Sequence, residues 1–465
     1  MAKTPSSTLG IDIGANTIKI VEIKGGKPPS LTAVAIAPTP PNSVDSGGVL
    51  DHQAVGAAIK KMVAQAGFTS KAAVVSIAGQ NSVVVRILEV PKMAPAELKK
   101  HMDWEVQRNI PFADGRVHSD YSVVPRESFG AGDTIDVALA VAHLDAVDRL
   151  VSVTDAAGLQ PFAIDVEPLA LGRSLLLSDP DLKDKNCIIV GIGAQSTSID
   201  IFSKGLLTFP RILPTGGETL TRAIADRLMV PESEADETKL QYAQVIPGQT
   251  PTTTYSAPSY SGGFEPEATI QPTDFESPPM TSDPGFFMPT ASDAEPSPFA
   301  APSEPAPEAS PFAVPGEPID VPSPFSAAEP TPEPEPEDLP PPVPTFPSEP
   351  AAPAVVSADE AKRQSVYQAI YPVLEEIVSE LRRSVEYYRS RAQDNQIDCV
   401  ILCGGTSIVP NLDQLFSQAI GIPTFIGNPV KNLAVNVRKQ GGEYVAAHSH
   451  ELAVAIGLAL HPYSS

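Results

Sequence analysis

Cysteine is scarce in this chain of 465 residues: Cys187, Cys399 and Cys403 are all there are. They are too few and too oddly placed for a disulfide framework, and the seven histidines show no metal-ligand spacing. The chain therefore reads as reduced, intracellular and without a metal centre built from Cys and His. Long apolar runs are missing too. The longest, residues 452–460, is short against the roughly 20 residues that span a bilayer. The N-terminus Met1-Ala2-Lys3-Thr4-Pro5-Ser6 has no signal-peptide core, so any membrane link is expected to come through a partner, with no direct insertion. Basic clusters are few, with Arg382, Arg383, Arg389 and Arg391 near a helix end the one group that stands out. A face that neutralises nucleic-acid phosphates is not expected. Neither a Walker A loop nor Gly-x-Gly-x-x-Gly occurs.

Lys and Arg are absent altogether between Lys239 and Lys362, and residues 247–353 hold about 30 of the 51 prolines and about 17 acidic residues. Most of the net charge of -24 is concentrated there. Without that stretch the remainder is only mildly acidic, at about -7, which is ordinary for a soluble protein and says little about partners. Ser-Pro-Phe recurs within it at Ser297, Ser310 and Ser323, a mark of short duplication. Such a composition cannot offset an ordering entropy of about 1 to 2 kcal/mol per residue, so a disordered, polyproline-rich loop is expected.

Outside it the pattern is regular. Residues 9–23 alternate around Gly14-Ala15-Asn16-Thr17 and read as a hairpin with a small, polar turn. Ile11-Asp12-Ile13-Gly14-Ala15-Asn16-Thr17-Ile18 lines up with Val190-Gly191-Ile192-Gly193-Ala194-Gln195-Ser196-Thr197, and two copies of one hairpin suggest two related lobes. Between them the spacing predicts strands over 72–77 and 82–88, a helix over 94–109, strands over 120–125 and 133–141, and a helix over 144–157. Helix, two strands and helix form a small α+β module inserted in the first lobe. Helices are expected from Thr215 to Leu228, over 232–242, and over 357–393, where Ile370, Leu374, Ile377, Leu381 and Val385 form one apolar stripe. A buried strand over 398–403 ends in Gly404-Gly405-Thr406-Ser407. The insertion therefore lies within a lobe, and its two ends should be neighbours in space.

A glycine-rich hairpin turn presents backbone N–H groups to an anion with no side chain in the way, and Asn16, Thr17, Gln195, Ser196 and Thr197 add neutral donors. Two facing turns could grip a polyphosphate. Asp12 is suited to hold Mg2+ through water, and Lys19 to reach a phosphate from the next strand. In the third element a strand leads through two glycines into a helix, so backbone can pass close to a flat ring. The plain alternatives are ordinary hairpins and a structural turn with Ser407 as helix cap.

Hairpin, second hairpin and strand-Gly-Gly-Thr, in that order, resemble the actin-like nucleotide-binding superfamily, which includes actin, Hsp70, sugar kinases and the division protein FtsA. Within it the chain is similar to the PilM family of type IV pilus assembly proteins. The similarity rests on Gly10-Ile11-Asp12-Ile13-Gly14, Val90-Pro91, the run from Glu97 to Pro111, Asp165-Val166-Glu167-Pro168, Gly216-Gly217-Glu218-Thr219-Leu220-Thr221, Glu380-Leu381-Arg382-Arg383-Ser384 and the Gly404-Gly405 loop. It covers nearly everything outside the insertion.

The resemblance implies an α/β fold: an actin-like (ribonuclease H-like), two-lobed nucleotide-binding architecture with an inserted α+β 1C subdomain and a long disordered Pro-rich insertion. It implies subdomain 1A over 8–88 and again over 166–185, 1C over 89–165, the first part of lobe 2 (2A and 2B) over 186–246, and the insertion over 247–356. A long 2B helix over 357–395 and a return to 2A with the C-terminal helix over 396–461 complete it. ATP and Mg2+ are the implied ligands. By position, Asp12, Gly14, Asn16, Thr17 and Lys19 would form the first phosphate site, with Asp12 on Mg2+ through water, and Gly193, Ala194, Gln195 and Ser196 the second. Gly216 and Gly217 would line the second lobe's nucleotide side, Gly404, Gly405, Thr406 and Ser407 would cradle adenosine, and Asp236 and Lys239 would lie near ribose and base.

The implied role is a cytoplasmic ATP-binding scaffold, peripheral to the inner membrane, in a type IV pilus or related type II secretion platform. It would bind the cytoplasmic tail of a PilN-like protein between 1A and 1C and meet other pilus assembly proteins. Where many relatives carry a carboxylate, this chain has Gly191, and no general base stands out near either hairpin. Slow or negligible ATP turnover is expected. The rival readings are an actin-like enzyme such as a sugar kinase, for which no catalytic Asp announces itself, and an FtsA-like division protein, which would carry a C-terminal amphipathic membrane helix.

Overall fold

The computed structural model describes residues 4–79, 82–109, 116–124, 133–251, 357–391 and 396–464. The Ser-Pro-Phe repeats and the insertion from residue 252 to 356 lie outside them. The first lobe opens with β1 (Ser7–Ile13), β2 (Thr17–Lys24), β3 (Ser30–Pro38), the ribbon β4 (Val44–Asp45) and β5 (Gly48–Val49), α1 (His52–Ala66) and β6 (Ala72–Ile77). β7 (Val83–Pro91), α2 (Pro95–Asn109), β8 (Val117–Val123) and β9 (Thr134–His143) follow, then α3 (Leu144–Ala156), β10 (Gln160–Val166) and α4 (Glu167–Gly172), which runs on into a π-helical turn, Arg173–Leu177. The second lobe holds β11 (Asn186–Ile192), β12 (Thr197–Ser203), β13 (Leu206–Leu213), α5 (Gly217–Leu228), α6 (Glu232–Tyr242), α7 (Ala358–Arg391), β14 (Cys399–Cys403), α8 (Leu412–Ile420) and β15 (Thr424–Ile426). β16 (Ala434–Val435), α9 (Gly442–His448) and α10 (Ala453–Leu460) follow, and a 3-10 turn, His461–Tyr463, comes after α10.

Two sheets share one plan. The first has the order β10-β6-β1-β2-β3-β16 and the second β13-β12-β11-β14-β15, so β11, β12, β13, β14 and β15 stand where β1, β2, β3, β6 and β10 stand. The equivalence reaches the register. Asp12 opposes Lys19 across the first hairpin, and Gly191 opposes Ser198 across the second. The duplicated hairpin seen in the sequence lies inside the sheet of each duplicated half.

Each sheet is apolar on both faces, as its β-branched strands require. In the first, Ile18 and Ile20 face α1 and α3, with Val55, Ile59 and Val153 in the same cluster, while Val21 and Ile23 face α10 through Ala455 and Ile456. In the second, Val190 and Ile199 pack with Leu220 of α5, Leu374 and Ile377 of α7, and Phe416 of α8, while Ile189 and Phe202 face Leu171 and Leu175. α4 and α10 thus lie on the inner faces. They approach very closely: a Cβ on Gly10 would fall 1.9 Å from the Ala455 carbonyl oxygen, and one on Gly457 1.8 Å from that of Ala170. Gly10, part of the phosphate-hairpin motif, is therefore a packing glycine.

The inserted sheet has the order β7-β9-β8, and α2 covers it with Leu98, Met102 and Val106 against Val137, Leu139 and Val141. α3 instead packs on the first lobe's core, with Leu150 and Val153 beside Val55 and Ile59. The ends of the insertion do meet: Tyr242 Oη donates to Asp359 Oδ1 at 3.3 Å, and Tyr367 Oη donates to the Gln249 carbonyl at 2.8 Å.

Candidate functional site

Both hairpin turns close in the same way. Gly14 N–H donates to the Thr17 carbonyl at 3.2 Å, and Gly193 N–H to the Ser196 carbonyl at 2.9 Å. The first turn is held from behind by Thr39, whose hydroxyl donates to the Gly14 carbonyl at 2.7 Å and whose amide donates to the Asn16 carbonyl at 3.0 Å. Nothing in the local sequence marked Thr39, because it arrives from the end of β3. Asp12 and Lys19, paired across the hairpin, form an ion pair at 3.4 Å, mostly buried. A phosphate or a hydrated cation here would compete with that pair for each partner.

The second turn, the start of α5 and the loop after β14 form one cluster. Gly217 N–H donates to the Gly193 carbonyl at 2.9 Å and Glu218 N–H to that of Ala194 at 2.8 Å, while Thr406 N–H reaches the Ile192 carbonyl at 3.2 Å. Such an approach excludes side chains: a Cβ on Gly216 would lie 2.6 Å from the Ala194 oxygen, and one on Gly404, at φ +91, 2.5 Å from the Ile192 oxygen. Gly405 has no neighbour within 4 Å of its notional Cβ and is open. Ser407 is fully buried, its hydroxyl donating to the Gly404 carbonyl at 2.7 Å, so it shapes the loop from inside. Lys239 Nζ lies 2.6 Å from both Thr221 Oγ1 and Asp236 Oδ1 and donates to the Gly217 carbonyl at 3.3 Å, which brings Asp236 and Lys239 to this same end of α5.

The first hairpin is joined to that cluster by charge. Glu167, at the start of α4, is partly buried, and desolvation, then the Asp12 carboxylate, pushes its carboxyl up to about 7, with Lys19 pulling it back in part. Asp200, opposite Ile189 on β12, is pushed well above the usual carboxylate range by burial and then by Glu167. Its two oxygens lack a well-formed hydrogen bond to protein. His450 gives its carbonyl to Gly404 N–H at 2.8 Å, and burial lowers its ring pKa. No general base stands out near the hairpins in the sequence itself. Glu167 is a carboxyl at that place, missed because its neighbours Asp12 and Lys19 come from the other end of the lobe.

The residues present suit a polyanion. Gln195 Oε1 is buried with no protein partner, an amide left for a ligand or water. The turns expose small residues, and Lys19 supplies a cation.

Comparison with known proteins fits this geometry. The family model for type IV pilus assembly protein PilM matches residues 10–248 and 358–463, nearly all that lies outside the insertion. The chain belongs to the PilM family. A solved chain of the "PilM-PilN type IV pilus biogenesis complex" has the same fold, with a TM-score of 0.66 and 23% identity, covering 99% of both chains. The actin-like two-lobed fold expected from the sequence is thereby shown. Among curated proteins, FtsA of Bacillus subtilis is 24% identical over 257 residues, which is 50% of this chain and 57% of that protein. FtsA of Pseudomonas aeruginosa is 28% identical over 257 residues, 50% of this chain and 60% of that one. This PilM-family chain thus spans little more than half the length of those relatives, and the division-protein reading is the weaker one. No helix among the described residues is long and apolar enough to cross a membrane.

Proposed function

We propose that the protein is an ATP-binding scaffold of a type IV pilus assembly platform, cytoplasmic and held at the inner membrane by the tail of a PilN-like membrane protein between subdomains 1A and 1C. The observation that carries this reading is the paired closure of the turns at Gly14–Thr17 and Gly193–Ser196 on equivalent strands of two lobes, in a chain of the PilM family. Gly14, Asn16, Thr17 and Lys19 would hold phosphate from one lobe, and Gly193, Ala194, Gln195 and Ser196 from the other. Gly216, Gly217, Asp236 and Lys239, with the Gly404–Ser407 loop, would border the nucleoside. Asp12 would hold Mg2+ through water, the ion supplying charge neutralisation for the triphosphate.

Turnover is expected to be slow. Gly191 removes a carboxylate from the second turn, and its place is taken by Ser198 Oγ, 2.8 Å from a notional Cβ at Gly191. Glu167 supplies a carboxyl next to Asp12 that can hold or release a proton near neutral pH, so Glu167→Gln should abolish whatever residual hydrolysis there is and leave nucleotide affinity in place. Nucleotide then acts mainly by closing the lobes and shaping the partner surface. Titration of a synthetic PilN-like tail peptide into the purified chain, with and without Mg·ATP, tests the scaffold role. Saturable binding tightened by nucleotide is expected, and no binding in either condition would contradict it.

A further inference from the structure

Two of the three cysteines, oddly placed in the sequence, are direct partners in the fold. Cys187 on β11 and Cys399 on β14 face each other in the parallel register, and their sulfurs lie 3.4 Å apart. We infer that Cys187 and Cys399 form a thiol pair that a low-molecular-weight disulfide converts into an intrachain bridge, stapling β11 to β14 across the insertion. The sulfurs need to close to about 2.05 Å, a short movement for directly opposed residues. The pair sits at the entry ends of its strands, the ends remote from the Gly193 and Gly404 turns. There Asp398 N–H donates to the Asn186 carbonyl and Asn186 N–H to Asp398 Oδ2, both at 2.8 Å. Cys399 begins β14 and retains 5% exposure, whereas Cys187 has none, so fraying of this end brings Cys399 to solvent first.

The close contact between the two sulfurs, followed by Lys185, favours the Cys399 thiolate although burial opposes it. Cys399 therefore attacks one sulfur of the small disulfide, whose S–S bond breaks, and the departing sulfur takes up the Cys399 proton. Cys187 then attacks the Cys399 sulfur of the mixed disulfide, and the second small thiol leaves with the Cys187 proton. Two protein thiols and one disulfide become one protein disulfide and two small thiols. Cys403 takes no part: it opposes Gly191, which has no side chain to bridge.

The full chain is exposed to oxidised glutathione in two ways, folded in sub-denaturing urea and during refolding from the reduced, unfolded state. Denaturing alkylation and mass spectrometry follow. The expected product loses about two mass units, yields one linked peptide pair containing Cys187 and Cys399, and leaves Cys403 alkylated. Cys187→Ser and Cys399→Ser should each abolish it, and Cys403→Ser should not. Closing a loop of this sequence separation, 212 residues, should raise the melting temperature by roughly 5–10 °C. Three free thiols after both routes, a lasting glutathione adduct without ring closure, or a bridge involving Cys403 would each overturn the inference.

Discussion

Glu22 and Asp200 are both fully buried carboxyls, yet their surroundings push them in opposite directions. Burial alone would raise Glu22, but the Thr69 hydroxyl at 2.5 Å, the Thr69 and Ser70 amides at 3.2 and 3.1 Å, and Arg438 at 3.0 Å outweigh it and hold the carboxyl below its ordinary value. Its stabilisation is therefore complete above the unfolded value of about 4.3 and is lost as pH falls through the folded one. Glu22→Gln should cost about 2–4 kcal/mol at neutral pH in urea unfolding, with the difference shrinking as the solution is made acid. Asp200 holds its proton more tightly folded than unfolded, so it weakens the fold progressively as pH rises above about 3.9. Asp200→Asn should flatten that decline and be at least as stable as the parent in mild alkali; a steeper decline on the same urea series would contradict it. Residues such as Gly14 and Gly193 were legible because the motif repeats. Asp200 and Glu167 were not, because their neighbours come from distant strands, and nothing local to Ser407 told that its hydroxyl turns inward to the Gly404 carbonyl.

Helices announced themselves by period and punctuation. α2, α5, α6 and α7 lie within a few residues of the sequence expectation: α2 and α7 carry apolar stripes that face a core, and Pro95, Gly217 and Pro231 stand at the starts of α2, α5 and α6. The role of α10 was less legible: its sequence is apolar all round, which says buried but not against what. The answer lies in Gly10 and Gly457, which let the helix rest on β1 and α4. Gly457→Ala should therefore destabilise by about 3 kcal/mol or more, as backbone must move. Gly158→Ala, where φ is +70 but nothing lies within 4 Å, should cost only about 1 kcal/mol. Equal effects of the two in urea unfolding would mean the close approach has been misplaced.

For the whole molecule, composition separated the folded lobes from the insertion, and the repeated hairpin foretold two related halves. How those halves face one another was beyond any local pattern, since it depends on α4 and α10 between the sheets. Tyr242 and Asp359, or Gln249 and Tyr367, join the chain on either side of the insertion without its help. Replacing residues 252–356 by a short Gly/Ser linker should leave the melting temperature nearly unchanged, and loss of folded protein would show that the lobes depend on it.

The central claim, that two equivalent glycine turns clasp one nucleotide, is tested most directly by calorimetric titration of Mg·ATP into the parent chain and into Gly14→Val and Asn16→Asp. The first variant adds bulk beside the Thr17 carbonyl, 2.9 Å from a Cβ at Gly14, and the second places a negative charge in the turn. One saturable site in the parent, lost in both variants while the melting temperature of Asn16→Asp holds, is the predicted result. Undiminished ATP affinity in both would contradict it.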